Sequence, residues 1–179
     1  MLSLMAVTAL MAEDSIPLAV PAQAPTHRST SFAWGAEIGC GIDIGGHDMS
    51  NINFNAYFGM KNSWFQLLGA GAGVDMMMSN SCRCFPVFAV CRTAFGVKNP
   101  RCFAEVRLGG AYSSFDGDYS CWGAYVAPAI GFNLAVGRSY RSYIILSYVY
   151  NDVDYPGINP DYGEIHGLNY ANLSIGVTF

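Results

Sequence analysis

The sequence predicts an all-β fold, an eight-stranded antiparallel up-and-down transmembrane β-barrel behind a cleaved or disordered N-terminal segment. Three observations predict it. From Phe32 to Phe179 apolar residues recur with a period of two, the period of a strand, and not the 3.6 of a helix. Only 12% of the 179 residues are charged and mean hydropathy is +0.25, too apolar for a disordered chain. No stretch reaches the ~18 uninterrupted apolar residues of a membrane helix, so a chain this apolar has either a dense soluble core or membrane strands. Net charge is −4 and no basic run occurs, which leaves nucleic-acid binding without an electrostatic footprint.

The chain divides into three parts. Residues 1–12, MLSLMAVTALMA, are uncharged and mostly apolar, and read as a partial signal peptide with cleavage after Ala12. No Lys or Arg precedes the run, which puts the true start upstream or makes the start codon a miscall; a short core helix is the competing reading. Residues 13–31 hold Pro17, Pro21 and Pro25 without periodicity and read as a flexible periplasmic tail. Residues 32–179 form the barrel.

The strands follow in order. Phe32 to Ile44 sets Phe32, Trp34, Ala36, Ile38, Cys40 and Ile42 against Gly35, Glu37, Gly39, Gly41 and Asp43. The stretch from Asn51 to Lys61 sets Ile52, Phe54, Ala56 and Phe58 against three asparagines and Tyr57. A slip of one residue would turn every Asn to the apolar side, so the register is strongly specified. Trp64 to Met76 opposes Leu68, Ala70, Ala72 and Val74 to glycines and Asp75. Phe85 to Phe95 is apolar on both faces, and Arg92 decides that Phe85, Val87, Ala89 and Cys91 are its apolar side. Cys102 to Tyr112 sets Val106 and Leu108 against Glu105 and Arg107. Trp122 to Leu134 contains Pro128, which removes a ladder donor and predicts a bulge there. Tyr140 to Tyr150 and Leu168 to Phe179 complete the set. Strands of about ten residues suit tilted membrane crossings.

Three features turn the apolar face outward. The opposite face is Gly, Asn, Ser and Ala with sparse charges of both signs, which suits a crowded lumen better than a solvated surface. With the N-terminus periplasmic, the turns on that side (Lys61-Asn62-Ser63, Val97 to Arg101, Ala135 to Ser139) are short. The opposite connections (Gly45 to Ser50, Met77 to Cys84, Ser113 to Cys121, Asn151 to Gly167) are generally longer. Outward aromatics then form two belts. Trp34, Trp64, Phe95, Phe132, Tyr140 and Phe179 lie at the periplasmic ends; Phe85, Tyr112, Trp122, Tyr148 and Tyr150 lie at the external ends.

Pro86-Val87-Phe88-Ala89-Val90, Glu105-Val106-Arg107-Leu108-Gly109, Pro128-Ala129-Ile130-Gly131 and the ending Gly176-Val177-Thr178-Phe179 carry a further reading. With the eightfold alternation, they give residues 32–179 a pattern that resembles the small eight-stranded outer-membrane β-barrel domains of Gram-negative bacteria, OmpA/OmpX-like in architecture. Six cysteines and an incomplete signal peptide depart from it. The resemblance implies a bacterial outer-membrane location and contact with outer-membrane lipid. It also implies that Phe179 is similar to the terminal signal read by the barrel-assembly machinery.

Candidate site residues are few. Glu37, Arg92, Glu105 and Arg107 all fall on the lumen face and are expected to pair, since a bare charge in a water-poor lumen is costly. Asp43 and Asp75 share that face near the external rim, where hydration is expected. Cys82, Cys84 and Cys121 fall in external loops; an oxidising compartment allows a disulfide among them, and free thiols are the plainer reading. His166 beside Glu164 is a faint echo of the His–Ser–carboxylate set of lipid-modifying barrel enzymes, but no such set lies on one face. No metal site and no cofactor are expected; the acidic last loop, with Asp152, Asp154, Asp161 and Glu164, reads as solvated. The expected function is a structural or surface-interaction role with a closed, non-enzymatic lumen and an unknown extracellular ligand. A lipid-modifying enzyme, a small porin-like pore and a secreted lipocalin-like binder with its apolar face inward are the alternatives.

Overall fold

A computed structural model of the chain describes residues 30–78, 81–95, 101–115, 119–157 and 163–179. The signal peptide and most of the tail read from the sequence, with His27, residues 97–100 and Asp161, lie outside the described residues. Eight strands run in order: β1 (Ser31–Asp43), β2 (Asn51–Lys61), β3 (Leu67–Met77), β4 (Arg83–Phe95), β5 (Cys102–Phe115), β6 (Tyr119–Val136), β7 (Arg141–Pro156) and β8 (Glu164–Thr178). Each pairs antiparallel with its chain neighbours, and β1 pairs with β8, so the sheet closes without an edge.

The alternation decides which way each strand faces. Ile38, Ile42, Phe54, Leu146 and Ile175 are between 46% and 66% exposed on the outer wall. Glu37, Asn53, Asn55, Arg92, Glu105, Arg107 and Ser174, of the opposite parity, are each at most 4% exposed inside. A barrel with its apolar face inward is therefore not what this chain forms. On β4 the outward set is Phe85, Val87 and Ala89, while Phe88, Val90 and Arg92 are buried, as Arg92 predicts. Tyr57 lies over Gly35, where an added Cβ would meet its hydroxyl oxygen at 2.6 Å; the space for this inward ring comes from β1.

Three expectations need correction. Ser113 to Cys121 and Asn151 to Gly167 are mostly strand, not loop: Phe115 pairs with Tyr119, and Asp154 pairs with His166. Buried Phe115, Val153, Tyr155 and Ile165 hold this external extension of β5 to β8 together. Second, Pro128 makes no bulge. It pairs with Val106 on β5, and the β6–β7 register is the same at Val126↔Tyr150 and Ala129↔Ser147 on either side of it. The missing N–H breaks the ladder toward β7 without needing an extra residue. The register shifts lie instead between Asn133 and Ala135 and between Asn151 and Asp154. Third, β3 begins at Leu67, not Trp64, because Asn62 closes the preceding turn by accepting the N–H groups of Trp64 and Phe65 at 2.8 and 2.9 Å.

Candidate functional site

The inward charges meet in the middle of the barrel. Arg92 on β4 and Glu105 on β5 are direct cross-strand partners, and Arg92 Nε lies 2.5 Å from Glu105 Oε2. Arg107, two residues further along β5, shares that face, and its guanidinium reaches Glu105 Oε1 at 2.6 Å. Its other arm spans the lumen to Glu37 on β1, with Nη1 2.5 Å from Oε1. The result is an alternating chain, Glu37–Arg107–Glu105–Arg92, whose formal charges cancel. Its side chains are at most 4% exposed. Such a pairing is what buried charges require, since each alone would carry a desolvation cost of several kcal/mol.

Neutral groups complete the cluster. Tyr143 donates to Glu37 Oε2 at 3.0 Å, and Asn55 Nδ2 donates to Oε1 at 3.3 Å. The Tyr57 and Tyr143 hydroxyls are 2.5 Å apart, and Tyr57 also meets Thr178 Oγ1 at 2.8 Å. Arg92 donates to the same Thr178 oxygen at 3.3 Å and sits against the rings of Tyr143, Phe103 and Tyr57, 4.2, 4.6 and 5.3 Å from their centroids. Arg107 lies 5.2 Å from the Phe88 ring, which stacks on Tyr125. The tyrosines and Thr178 were not among the residues singled out by charge. Their only sequence signal is parity: each shares the inward phase of its strand.

The other candidates do not join this cluster. Asp75 is 5% exposed and enters no ion pair with a described residue. Its burial corrects the expectation that Asp75 is hydrated at the rim, whereas Asp43 is half-exposed there and accepts the N–H groups of Gly45, His47 and Met49 at 2.7, 2.7 and 3.1 Å, so shaping the β1–β2 connection. Cys84 lies inside β4, not in a loop, and is buried 3.0 Å from Ser113 Oγ; Cys82 is buried just ahead of the strand. Cys84 and Cys121 carry free thiols, so the disulfide that an oxidising compartment allows among Cys82, Cys84 and Cys121 is not formed, and the plainer reading stands for this pair. Register supplies the reason for that pair, since Ser113 on β5 sits between Cys84 and Cys121. Two strand spacings of about 4.8 Å exceed the ~7 Å limit for a bridge. His166 pairs with Asp154 at 3.0 Å and lies 3.9 Å from Glu164, all highly exposed on the outer side of the external extension. Among the described residues no group of three or more His, Cys, Asp or Glu is placed to hold a metal ion.

Phe179 ends the barrel on its outer wall. Its N–H donates to the Trp34 carbonyl at 2.7 Å, Trp34 N–H returns the bond at 3.3 Å, and the rings stack at 4.6 Å. It remains 39% exposed.

A scan against protein-family models and a search of curated proteins find no match for this chain. Among solved structures it is similar to the crystal structure of Neisserial surface protein A (NspA), at 14% identity and a TM-score of 0.54, covering 84% of this chain and 97% of that one. It also matches the solution NMR structure of a de novo designed protein, TMB2.3, at 14% identity and a TM-score of 0.37, covering 82% and 92%. The likeness to NspA is one of fold: this chain is a closed eight-stranded antiparallel barrel of that architecture.

Proposed function

We propose that this chain is a bacterial outer-membrane β-barrel with a structural or surface-interaction role, non-enzymatic, its lumen shut by the Glu37–Arg107–Glu105–Arg92 chain. The observation that carries the reading is the outer wall. Ile38, Ile42, Phe54, Phe58, Val87, Leu108, Ile130, Leu146 and Ile175 are all at least 46% exposed around the barrel, far more contiguous apolar surface than a soluble monomer tolerates. Lipid is the solvent that such a wall fits, and a closed barrel satisfies its backbone without water. Trp34, Trp64, Phe95 and Tyr140 at one end, and Phe85, Trp122 and Tyr148 at the other, supply the two interfacial belts. The external extension of β5 to β8, edged by Asp152, Asp154, Glu164 and His166, is the part offered to a partner outside the cell.

The test is whether the refolded chain partitions into detergent and migrates faster on a gel before heating than after. A folded protein that stays soluble without detergent would overturn the reading in favour of a secreted binder.

A further inference from the structure

The external half of the lumen holds a carboxylate that the charge chain does not answer. Asp75 has the inward parity of β3 and is 5% exposed. Its partners in the sheet are Asn53 on β2 and Cys84 on β4. Arg92 is held by Glu105, and Arg107 by Glu37 and Glu105, so neither guanidinium is left for it. Arg83, at the external end of β4, is exposed and shares the outward parity of Phe85. A bare carboxylate in a protein interior is strongly disfavoured and calls for a cation or a set of donors.

What surrounds Asp75 is rich in oxygens that accept nothing. Asn51, Asn151 and Asn172 are 0%, 2% and 6% exposed, and the carboxamide oxygen of each lacks a hydrogen-bond partner among the described residues. Two of these oxygens converge. Gly41 on β1 pairs with Asn51 on one side and Asn172 on the other. A Cβ at Gly41 would meet Asn51 Oδ1 at 2.8 Å and Asn172 Oδ1 closer still, so both oxygens lean into the space that this glycine leaves. Asn51 is two residues from Asn53 on the same face, which makes it the diagonal neighbour of Asp75. Diagonal partners stand about 7–8 Å apart at the backbone, a gap that two side chains and an ion between them can span. On the other side of Asp75, Asn151 gives its amide to Cys84 Sγ at 3.4 Å and to Ser113 Oγ at 3.2 Å. The amide nitrogens of Asn51 and Asn53 are unpartnered too. Turning one amide over would answer one oxygen at most, and none of the charge of Asp75.

We propose that Asp75, with Asn51 Oδ1 and Asn172 Oδ1, binds a single monovalent cation, sodium, in the external half of the barrel. Donors that are all oxygen suit a hard cation. Charge selects the valence: one carboxylate balances one monovalent ion, whereas a divalent ion would leave a net positive charge buried beside a charge chain that is already neutral. The ion would tie β8, β2 and β3 together across β1, whose inward residues at this height, Gly39 and Gly41, have no side chain to do so. The site stands on lumen geometry and goes beyond the membrane reading, since it is the same whichever solvent bathes the outer wall.

Met49, Phe115 and Tyr155 are at most 3% exposed and lie beyond this layer toward the external end, so the test supplies the ion during refolding. The full chain is refolded in detergent in sodium chloride from about 1 to about 300 mM, with choline chloride holding the ionic strength and hence the screening constant, and is then unfolded with urea. Once sodium exceeds its dissociation constant, the unfolding equilibrium constant of the wild type should fall about tenfold for each tenfold rise in sodium, as one bound ion requires. Asp75→Asn should lose this dependence. In choline alone it should be at least as stable as the wild type, because no bare charge remains. Asp152→Asn, on the exposed external extension, should keep the dependence. Broadening of the sodium NMR line by the folded wild type is the direct readout, and with the sodium series it decides the matter even if Asp75→Asn fails to fold. A wild type indifferent to sodium, an equal response in a folded Asp75→Asn, or an Asp75→Asn less stable than the wild type in choline would each overturn the proposal. Stabilisation by calcium chloride and not by sodium chloride would overturn the assignment to a monovalent ion.

Discussion

Glu105 holds two guanidiniums, from Arg92 on one oxygen and Arg107 on the other. Replacing it with Gln keeps the shape and removes the charge that both face. Arg92 would then have only ring faces and the Thr178 hydroxyl, while Arg107 would keep Glu37. Breaking a buried pair from one side typically costs about 3–5 kcal/mol. Glu105→Gln should therefore lower the denaturant midpoint of the barrel in detergent by an amount of that order. Removing Arg92 and Glu105 together, as Met and Leu, should cost less than the sum of the single changes, because neither charge is left orphaned. Equal and additive losses would mean the pair is not coupled. That these four charges share one lumen was legible from parity. Height along the strands also brings Arg92 to Glu105 and sets Glu37 across the narrow lumen from Arg107; what alternation does not encode is that Arg107 bridges Glu37 and Glu105 at once. Tyr57, Tyr143 and Thr178 passed unnoticed as cluster members because an uncharged residue on the inner face does not announce a partner.

The strands show where the sequence pattern speaks and where it reverses. On β1 and β2 outward residues are mostly large and apolar and inward ones mostly small or polar, and the boundaries of these two strands follow directly. Toward the external end β7 changes sense. Asp152 and Asp154 face out while Val153 and Tyr155 are buried. β8 does the same with Glu164 and His166 outside and Ile165 buried. The period of two continues, but its polarity inverts where the outer wall changes from apolar to polar, as the membrane reading proposed above requires at the edge of the lipid. A search for one polarity ends the strand there and writes the rest off as loop. The extension has its own small core, in which Phe115 stacks on Tyr155 at 4.7 Å and Tyr119 meets Tyr155 edge-on at 5.4 Å. Tyr155→Ala should therefore speed hydrogen exchange at residues 153–156 and 164–166 while leaving β1 to β3 protected; loss of protection throughout would mean the extension is part of one cooperative unit. At the other end of β8, deleting Phe179 removes a stack on Trp34 and two backbone bonds but no lumen contact. Insertion into the outer membrane should fall while refolding in detergent changes little. Comparable losses in both settings would assign Phe179 to packing and not to assembly.

At the scale of the whole molecule the lumen reads as a series of filled layers along one axis. The Tyr57–Tyr143–Thr178 bonds come first, with Arg92 packed between Phe103 and the tyrosines. The charge chain follows, its contacts at 2.5–2.6 Å leaving no room for water between partners. Phe88 stacked on Tyr125 stands beside it. Toward the external end the lining turns to Asn51, Asn53, Asn151 and Asn172, each of which keeps a buried carboxamide atom without a hydrogen-bond partner among the described residues. Phe115 and Tyr155 lie beyond it. An ion passing these asparagines would have to separate a paired carboxylate and guanidinium to go further. Eight strands leave little bore to route around them. The wild-type chain should therefore show no steady conductance in planar bilayers, at either polarity and at moderate voltage. Brief openings, rare and interrupted, would fit a cluster whose pairs exchange; long, large single-channel currents from the wild type would show that the lumen is open and that these four charges line a path instead of closing it.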